Sequence, residues 1–396
     1  MMNRHPGLLS HALISGILIL STVTASVVSA QTNPSAGGAI PDAVKTTQPP
    51  NNAAIAAAVD GFVPAQVEAL ASTDAAARGA AREALVDGAS ARQGDVTPTY
   101  LAAYAKAVSD KIAPVLTNES DLVRLNAAIV VAKVAEKADD LSLRPAVLVL
   151  LKDKSPYVAL WGIKGARAII PAAIRNPLFK GDEAIGGIVK AVGAHAGSMG
   201  GPIVLEGYDA LVFEVLNPNA ALRPTDKMIT AVIPPIQELL QQRVTTYRKG
   251  IPAEPFAEVK PTSFLSNGKV WALQTPQQRL TSMQLMSDLI GLAAQHAVAA
   301  APGVNRDKLQ TIIGHVASAM AVVPEVSSSA AVKDKLTPVT KINQSTPAAG
   351  ITEAVSGVAD ALKTIKGFEK LTPPPAIAAA VAGAGGDAEI VEPTTQ

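Results

Sequence analysis

Apolar positions recur every three to four residues through most of this chain, the spacing that lines them up along one side of a helix. From Thr97 to Leu116 the marked positions are Leu101, Tyr104, Ala105, Val108, Ile112 and Val115. Thr97 suits the N-cap and Pro98 the first helical turn. The pattern breaks at Thr117-Asn118-Glu119-Ser120 and resumes at Asp121. There Leu122, Leu125, Ile129 and Ala132 form one stripe, with Val123, Ala127, Val130 and Val134 beside it. So short a turn between amphipathic helices predicts an antiparallel hairpin. The next stretch repeats the arrangement. Ser142 is the expected cap of a helix carrying Val147, Leu148 and Leu151, Asp153-Lys154-Ser155 makes the turn, and Pro156 opens a helix that Pro171 is expected to end.

The two turns align without gaps at an offset of 35, matching Asn118, Ser120, Val123, Leu125 and Ala127 to Asp153, Ser155, Val158, Leu160 and Gly162. An earlier, fainter copy begins at Ser72-Thr73-Asp74, where superposing Arg78 on Arg124 gives an offset of 46. Offsets in this range belong to stacked helical hairpins. The segments TDAAARGAAREAL, ESDLVRLNAAIVVAKV and DKSPYVALWGIKGARAI resemble the second helices of HEAT repeats, over about residues 55 to 175. The third copy departs from the pattern, with Ala159 where the others carry Arg. The resemblance implies an all-α fold of antiparallel hairpins stacked as a HEAT-like α-solenoid, in which Asp74, Arg78, Asp121 and Arg124 are structural. It also implies a scaffold that presents a surface to a protein or peptide.

Helical repeats are expected over 53–180, and a further helical region without the repeat signature over 181–325. In that region Thr225 or Asp226 caps a helix to about Tyr247, interrupted near Pro234-Pro235. Residues 277 to 299 carry Leu280, Met283, Met286, Ile290 and Ala293 on one face and Leu285, Leu289 and Leu292 on the next. So wide an apolar surface predicts burial against more than one neighbour. From Asn305 to Val323 the pattern is one-sided, with Leu309, Ile312, Ile313, Val316 and Met320 inward. Asn267-Gly268, between Phe264 and Trp271, carries the signal of a tight β-hairpin. Residues 326–350 read as a polar linker before a last short helix in 351–370. The Pro- and Gly-rich segments 31–52 and 371–396 read as a flexible spacer and a disordered tail.

Composition narrows the class. Apolar residues make up 48% of the chain but aromatics only 3%, which favours close-packed helices over sheets. Residues 1–30 read as a signal peptide, with Arg4, an apolar run from Leu8 to Val28, and small residues before a cleavage point after Ala30. The chain is therefore expected to be exported, to the periplasm or beyond, with no integral membrane span after cleavage. With no cysteine, neither a disulfide nor a lipidated cysteine anchor is available. Without Arg4, 33 basic and 33 acidic side chains remain. That balance, with no basic cluster, argues against a nucleic-acid partner.

Few residues suggest chemistry. His296 follows an apolar stripe and reads as a core or boundary residue, and His315 reads as solvated. No histidine lies within five residues of another beyond Ala30, so the close spacing of zinc sites is absent. Gly193 to Pro202 is Gly-rich, and His195 with Ser198 would serve as base and nucleophile of an enzyme or small-ligand site there. The competing reading is a helix end, a glycine turn and a helix opened by Pro202. Tyr157 and Trp161, four residues apart, are candidates for partner contact. The sequence thus points to an exported, non-enzymatic helical scaffold without a cofactor, with the 193–202 site as the alternative.

Overall fold

The computed structural model describes residues 38–175, 182–212, 225–252 and 254–374. The expected signal peptide and most of the expected C-terminal tail lie outside them. Among the described residues the fold is all-helical, without strands.

A short helix α1 (Asp42–Thr46) leads into α2 (Asn52–Leu70) and α3 (Ala75–Gly88). Residues 38–52 are therefore not a structureless spacer: Ile40 and Lys45 are buried, and the Lys45 ammonium donates to the Ser90 carbonyl at 2.6 Å. The chain continues through α4 (Pro98–Leu116), α5 (Asp121–Ala138), α6 (Arg144–Leu150), α7 (Pro156–Arg175), α8 (Asp182–Met199) and α9 (Gly201–Leu211). The pairs α2/α3, α4/α5, α6/α7 and α8/α9 each pack together. The first helices also contact in order, α2 on α4, α4 on α6 and α6 on α8, and so do the second helices, α3 on α5, α5 on α7 and α7 on α9. This alternation runs past residue 180, where the sequence signature fades.

Capping explains where several of these helices begin. The Asp74, Thr97 and Ser120 side chains accept from Ala76, Tyr100 and Val123 N–H groups, satisfying donors that a helix start leaves open. Ser142 is different from expectation. Its hydroxyl donates to Asp140, and α6 starts at Arg144 without a side-chain cap. Pro171 does not end α7 either, because buried Ile169, Ile170 and Ala173 flank it and their packing outweighs the hydrogen bond a proline removes. Glycine sets the closest approach. A Cβ on Gly162 of α7 would lie 2.8 Å from the Leu150 carbonyl carbon and 2.9 Å from the Leu151 nitrogen, at the end of α6. Gly162→Ala is expected to lower stability by about 1–3 kcal/mol through this overpacking, measured as a shift in the urea midpoint at unchanged slope.

α10 (Asp226–Lys249) packs on α8 and runs unbroken through Pro234 and Pro235, with Ile233 and Ile236 buried around them. A 3₁₀ turn (Pro255–Glu258) then leads to α11 (Val259–Ser266) and α12 (Gly268–Leu273). The expected β-hairpin is absent there. Asn267 instead caps α12, accepting from Lys269 N–H at 3.1 Å, so that Trp271 is buried with its indole N–H on Glu325 at 2.7 Å. α13 (Pro276–Ala299) opens with a Thr275/Gln278 capping box and packs on α10, on α14 (Val304–Ala321) and on α17 (Ala348–Val355), as its broad apolar surface predicts. The expected linker is mostly helical: α15 (Pro324–Ser327) and α16 (Ala330–Thr340) fall in or beside it, and Val332, Leu336 and Val339 of α16 are buried. α18 (Val358–Lys363) follows α17, and both pack on α16.

Arg243 and Glu258 form a buried ion pair. Arg243 of α10 donates from Nε to Glu258 Oε1 and from Nη2 to the Glu254 carbonyl at 3.1 Å, while the Tyr247 hydroxyl donates to Glu258 Oε2 at 3.4 Å. Glu258 has no exposed surface, and burial pushes its carboxyl above the ordinary value of 4.5 against the pull of Arg243. The pair fastens the end of α10 to the 3₁₀ turn.

Candidate peptide-binding face

Arg124 of α5 is tied by its guanidinium on both sides of a joint between helices. Its guanidinium bonds both Asp153 oxygens at 2.7 and 3.1 Å, Asp121 at 2.7 Å, and the carbonyls of Asn118 and Glu119 at 2.7 and 3.1 Å. Asp153 lies in the turn before α7, so this residue joins one helical pair to the next, and its fork geometry suits a carboxylate. Asp153 escaped the sequence reading as a partner, although the 35-residue alignment had placed it opposite Asn118. Arg78 differs. It donates to the carbonyls of Ser72 and Thr73 at 2.9 and 3.5 Å, while the Asp74 carboxylate caps α3. These four positions organise turns and joints.

Tyr157 is 63% exposed on the first turn of α7. Leu122, its counterpart 35 residues earlier on α5, is 59% exposed, although its stripe had suggested burial. Because α5 packs directly on α7, equivalent positions place both side chains on the same face of the helix row. Trp161, one turn beyond Tyr157, is half-buried against the core, with the Lys164 ammonium 4.6 Å from its ring centroid. Further along, Lys164 and Arg167 approach Glu206 of α9 at 3.9 and 3.8 Å. Burial raises the Glu206 carboxyl above its ordinary value, and the two cations pull it down. The face therefore runs from apolar and aromatic side chains on α5 and α7 to a charged strip at α9.

His195 and Ser198 do not meet as a dyad. His195 Nε2 lies 2.9 Å from the Asp153 carbonyl, which accepts, so that nitrogen carries the proton. The Ser198 hydroxyl donates to the His195 carbonyl within the same helix at 3.1 Å. The glycines around them end α8 and start α9, with Gly200 at φ 62° and Pro202 in the first turn. His296 bonds the Tyr247 carbonyl at 2.6 Å, linking α13 to α10. His315 departs from the solvated reading: its Nε2 lies 3.2 Å from the Val259 carbonyl and 2.9 Å from Ser263 Oγ, and burial holds its pKa below 6.5.

No family model and no curated protein matches the chain. Among solved structures it is similar to an engineered protein, at 17% identity over 81% of this chain and 79% of that one, with a TM-score of 0.39. A likeness of that degree carries no argument about fold family or function.

Proposed function

We propose that the chain is an exported HEAT-like α-solenoid that acts as a non-enzymatic scaffold, holding an extended protein or peptide segment on the face of α5 and α7. The observation that carries this reading is the alignment of exposed Leu122 and Tyr157 on adjacent helices, with Trp161 one turn deeper. Stacked hairpins generate long surfaces on which equivalent positions recur, and a bound segment meets them in succession. The alternating contacts of α2 to α9 and the Arg124–Asp153 joint support the solenoid arrangement. The apolar run and small residues before Gln31 support export. Nothing in the placement of His195 and Ser198 favours an enzyme.

The test is affinity capture from the chain's own cell envelope, comparing the natural sequence with a Leu122→Ser/Tyr157→Ser variant. Both side chains are exposed, so folding should be unchanged by circular dichroism. Recovery of the captured segment should fall roughly tenfold or more, the loss expected when two interface anchors are removed. Equal recovery by both forms would sink the reading.

A further inference from the structure

Gln284 of α13 holds a stretch of backbone with its side-chain amide. Its Oε1 accepts from the Thr372 N–H at 2.7 Å and its Nε2 donates to the Thr372 carbonyl at 2.9 Å. The remaining Nε2 proton goes to Asp288 Oδ1 at 2.8 Å, and Asp288 is in turn held by Arg248 at 3.0 Å. This relay fixes which way the amide points, so both its donor and its acceptor are presented ready-made. The paired contact copies the hydrogen bonding of one strand to another, and it reads backbone regardless of side chain.

The residues after Thr372 suit such a seat. Pro373 and Pro374 have no N–H that would need a partner, and proline keeps a segment extended before it binds. Two turns along the same face of α13, Gly291 makes room. A Cβ there would stand 2.3 Å from Pro374 Cβ, so the ring rests directly on the helix backbone. Leu371 is buried on the other side of the clamp. Beside the two prolines a cavity of about 370 Å³, walled by Ile290, Val355 and Val358 among others, leaves space for further side chains.

We infer that this groove of α13 is a binding site for extended, proline-containing peptides of the Leu-Thr-Pro-Pro kind, and that Leu371–Pro374 is its occupant in cis. The site is independent of the face formed by α5 and α7, and either proposal stands if the other fails. A tethered segment competes at high effective concentration, so a free peptide enters only when the cis contact is weakened.

Hydrogen exchange on the full chain tests the clamp. A fragment spanning Phe368 to Pro375 ends in three prolines that carry no amide, and overlapping fragments separate Thr372 from Lys370 and from Leu371, whose N–H donates to the Phe368 carbonyl at 3.0 Å. Thr372 should exchange slowly in the natural chain and roughly tenfold or more faster in Gln284→Ala, as expected for loss of its acceptor. Binding is then read by fluorescence anisotropy with a labelled peptide copying Glu369 to Ile377. The full chain carrying Thr372→Pro, which deletes the clamped N–H, should exchange faster at Leu371 and bind the probe about tenfold more tightly than the natural chain. Gln284→Ala added to Thr372→Pro should abolish that gain. The inference is overturned by unprotected Thr372 in the natural chain, by Leu371 protection that survives Thr372→Pro, by no probe binding to Thr372→Pro, or by equal binding to all three chains. A natural chain that dimerises through Gln284 would assign the seat to a second copy's tail and overturn the cis occupancy.

Discussion

Arg124→Ala is expected to lower the unfolding free energy by about 3–5 kcal/mol, the cost of breaking a buried ion pair by removing one partner. The Arg124 side chain is 5% exposed and that of Asp153 8%, so the Asp153 carboxylate would lose its counter-charge in a dry setting, leaving the Ser155 N–H, at 2.7 Å, bonded to it in the turn. The Asn118 and Glu119 carbonyls would lose the same donor. Three comparisons separate this joint from general surface electrostatics. Asp121→Ala should cost under about 1 kcal/mol, because Asp121 is 61% exposed and water screens its pairing. Arg78→Ala should cost about 1–3 kcal/mol, since Arg78 bonds carbonyls alone. Arg124→Lys should recover only part of the loss, a point charge being unable to reach both Asp153 oxygens and the carbonyls at once. Urea titration of the four variants measures the order directly. An Arg124→Ala loss no larger than that of Asp121→Ala would show that the helical pairs are not joined at this turn.

How much of the fold is legible in the sequence depends on where the information sits. α4 and α5 can be read because their caps, periodicity and turn all lie within a few residues of one another. Leu122 cannot, since its stripe is apolar in sequence and only the packing of α5 on α7 leaves that corner uncovered. Asn267-Gly268 misleads for a related reason: the pair suits either a tight turn or a helix cap, and the burial of Trp271 against Glu325 and Phe368 decides for the cap. Residues 326–350 look polar because Ser, Thr and Lys outnumber the apolar positions. The spacing of Val332, Leu336 and Val339 at four and then three residues is the signal that remains. Prolines 171, 234 and 235 read as breaks because local propensity has no term for the core around them. The Gln284 clamp lies beyond any sequence reading, since it pairs a helix residue with backbone 88 positions away.

Arg243 and Glu258 carry the second large effect, and pH separates its parts. Arg243→Ala is expected to cost about 3–5 kcal/mol at neutral pH, because the Glu258 carboxyl would be left without its counter-charge where no water reaches it. A double variant, Arg243→Leu/Glu258→Leu, should lose much less, since replacing a buried pair by apolar residues is often neutral. The direction of the pH effect comes from proton binding. Burial already raises the Glu258 carboxyl above 4.5, and deleting Arg243 removes the largest influence that pulls it down. The folded variant then binds a proton that the unfolded chain, near 4.5, has released. Between that value and the raised one the folded state holds more protons, so stability increases as pH falls through the window. The Arg243→Ala deficit relative to the natural chain should therefore shrink as pH falls from neutrality toward 4.5, whereas the double variant should show no such recovery. Urea unfolding at a series of pH values gives both curves. A deficit independent of pH would mean that Glu258 is not the group left uncompensated, and that the loss comes from the Glu254 carbonyl and the packing of the Arg243 stem.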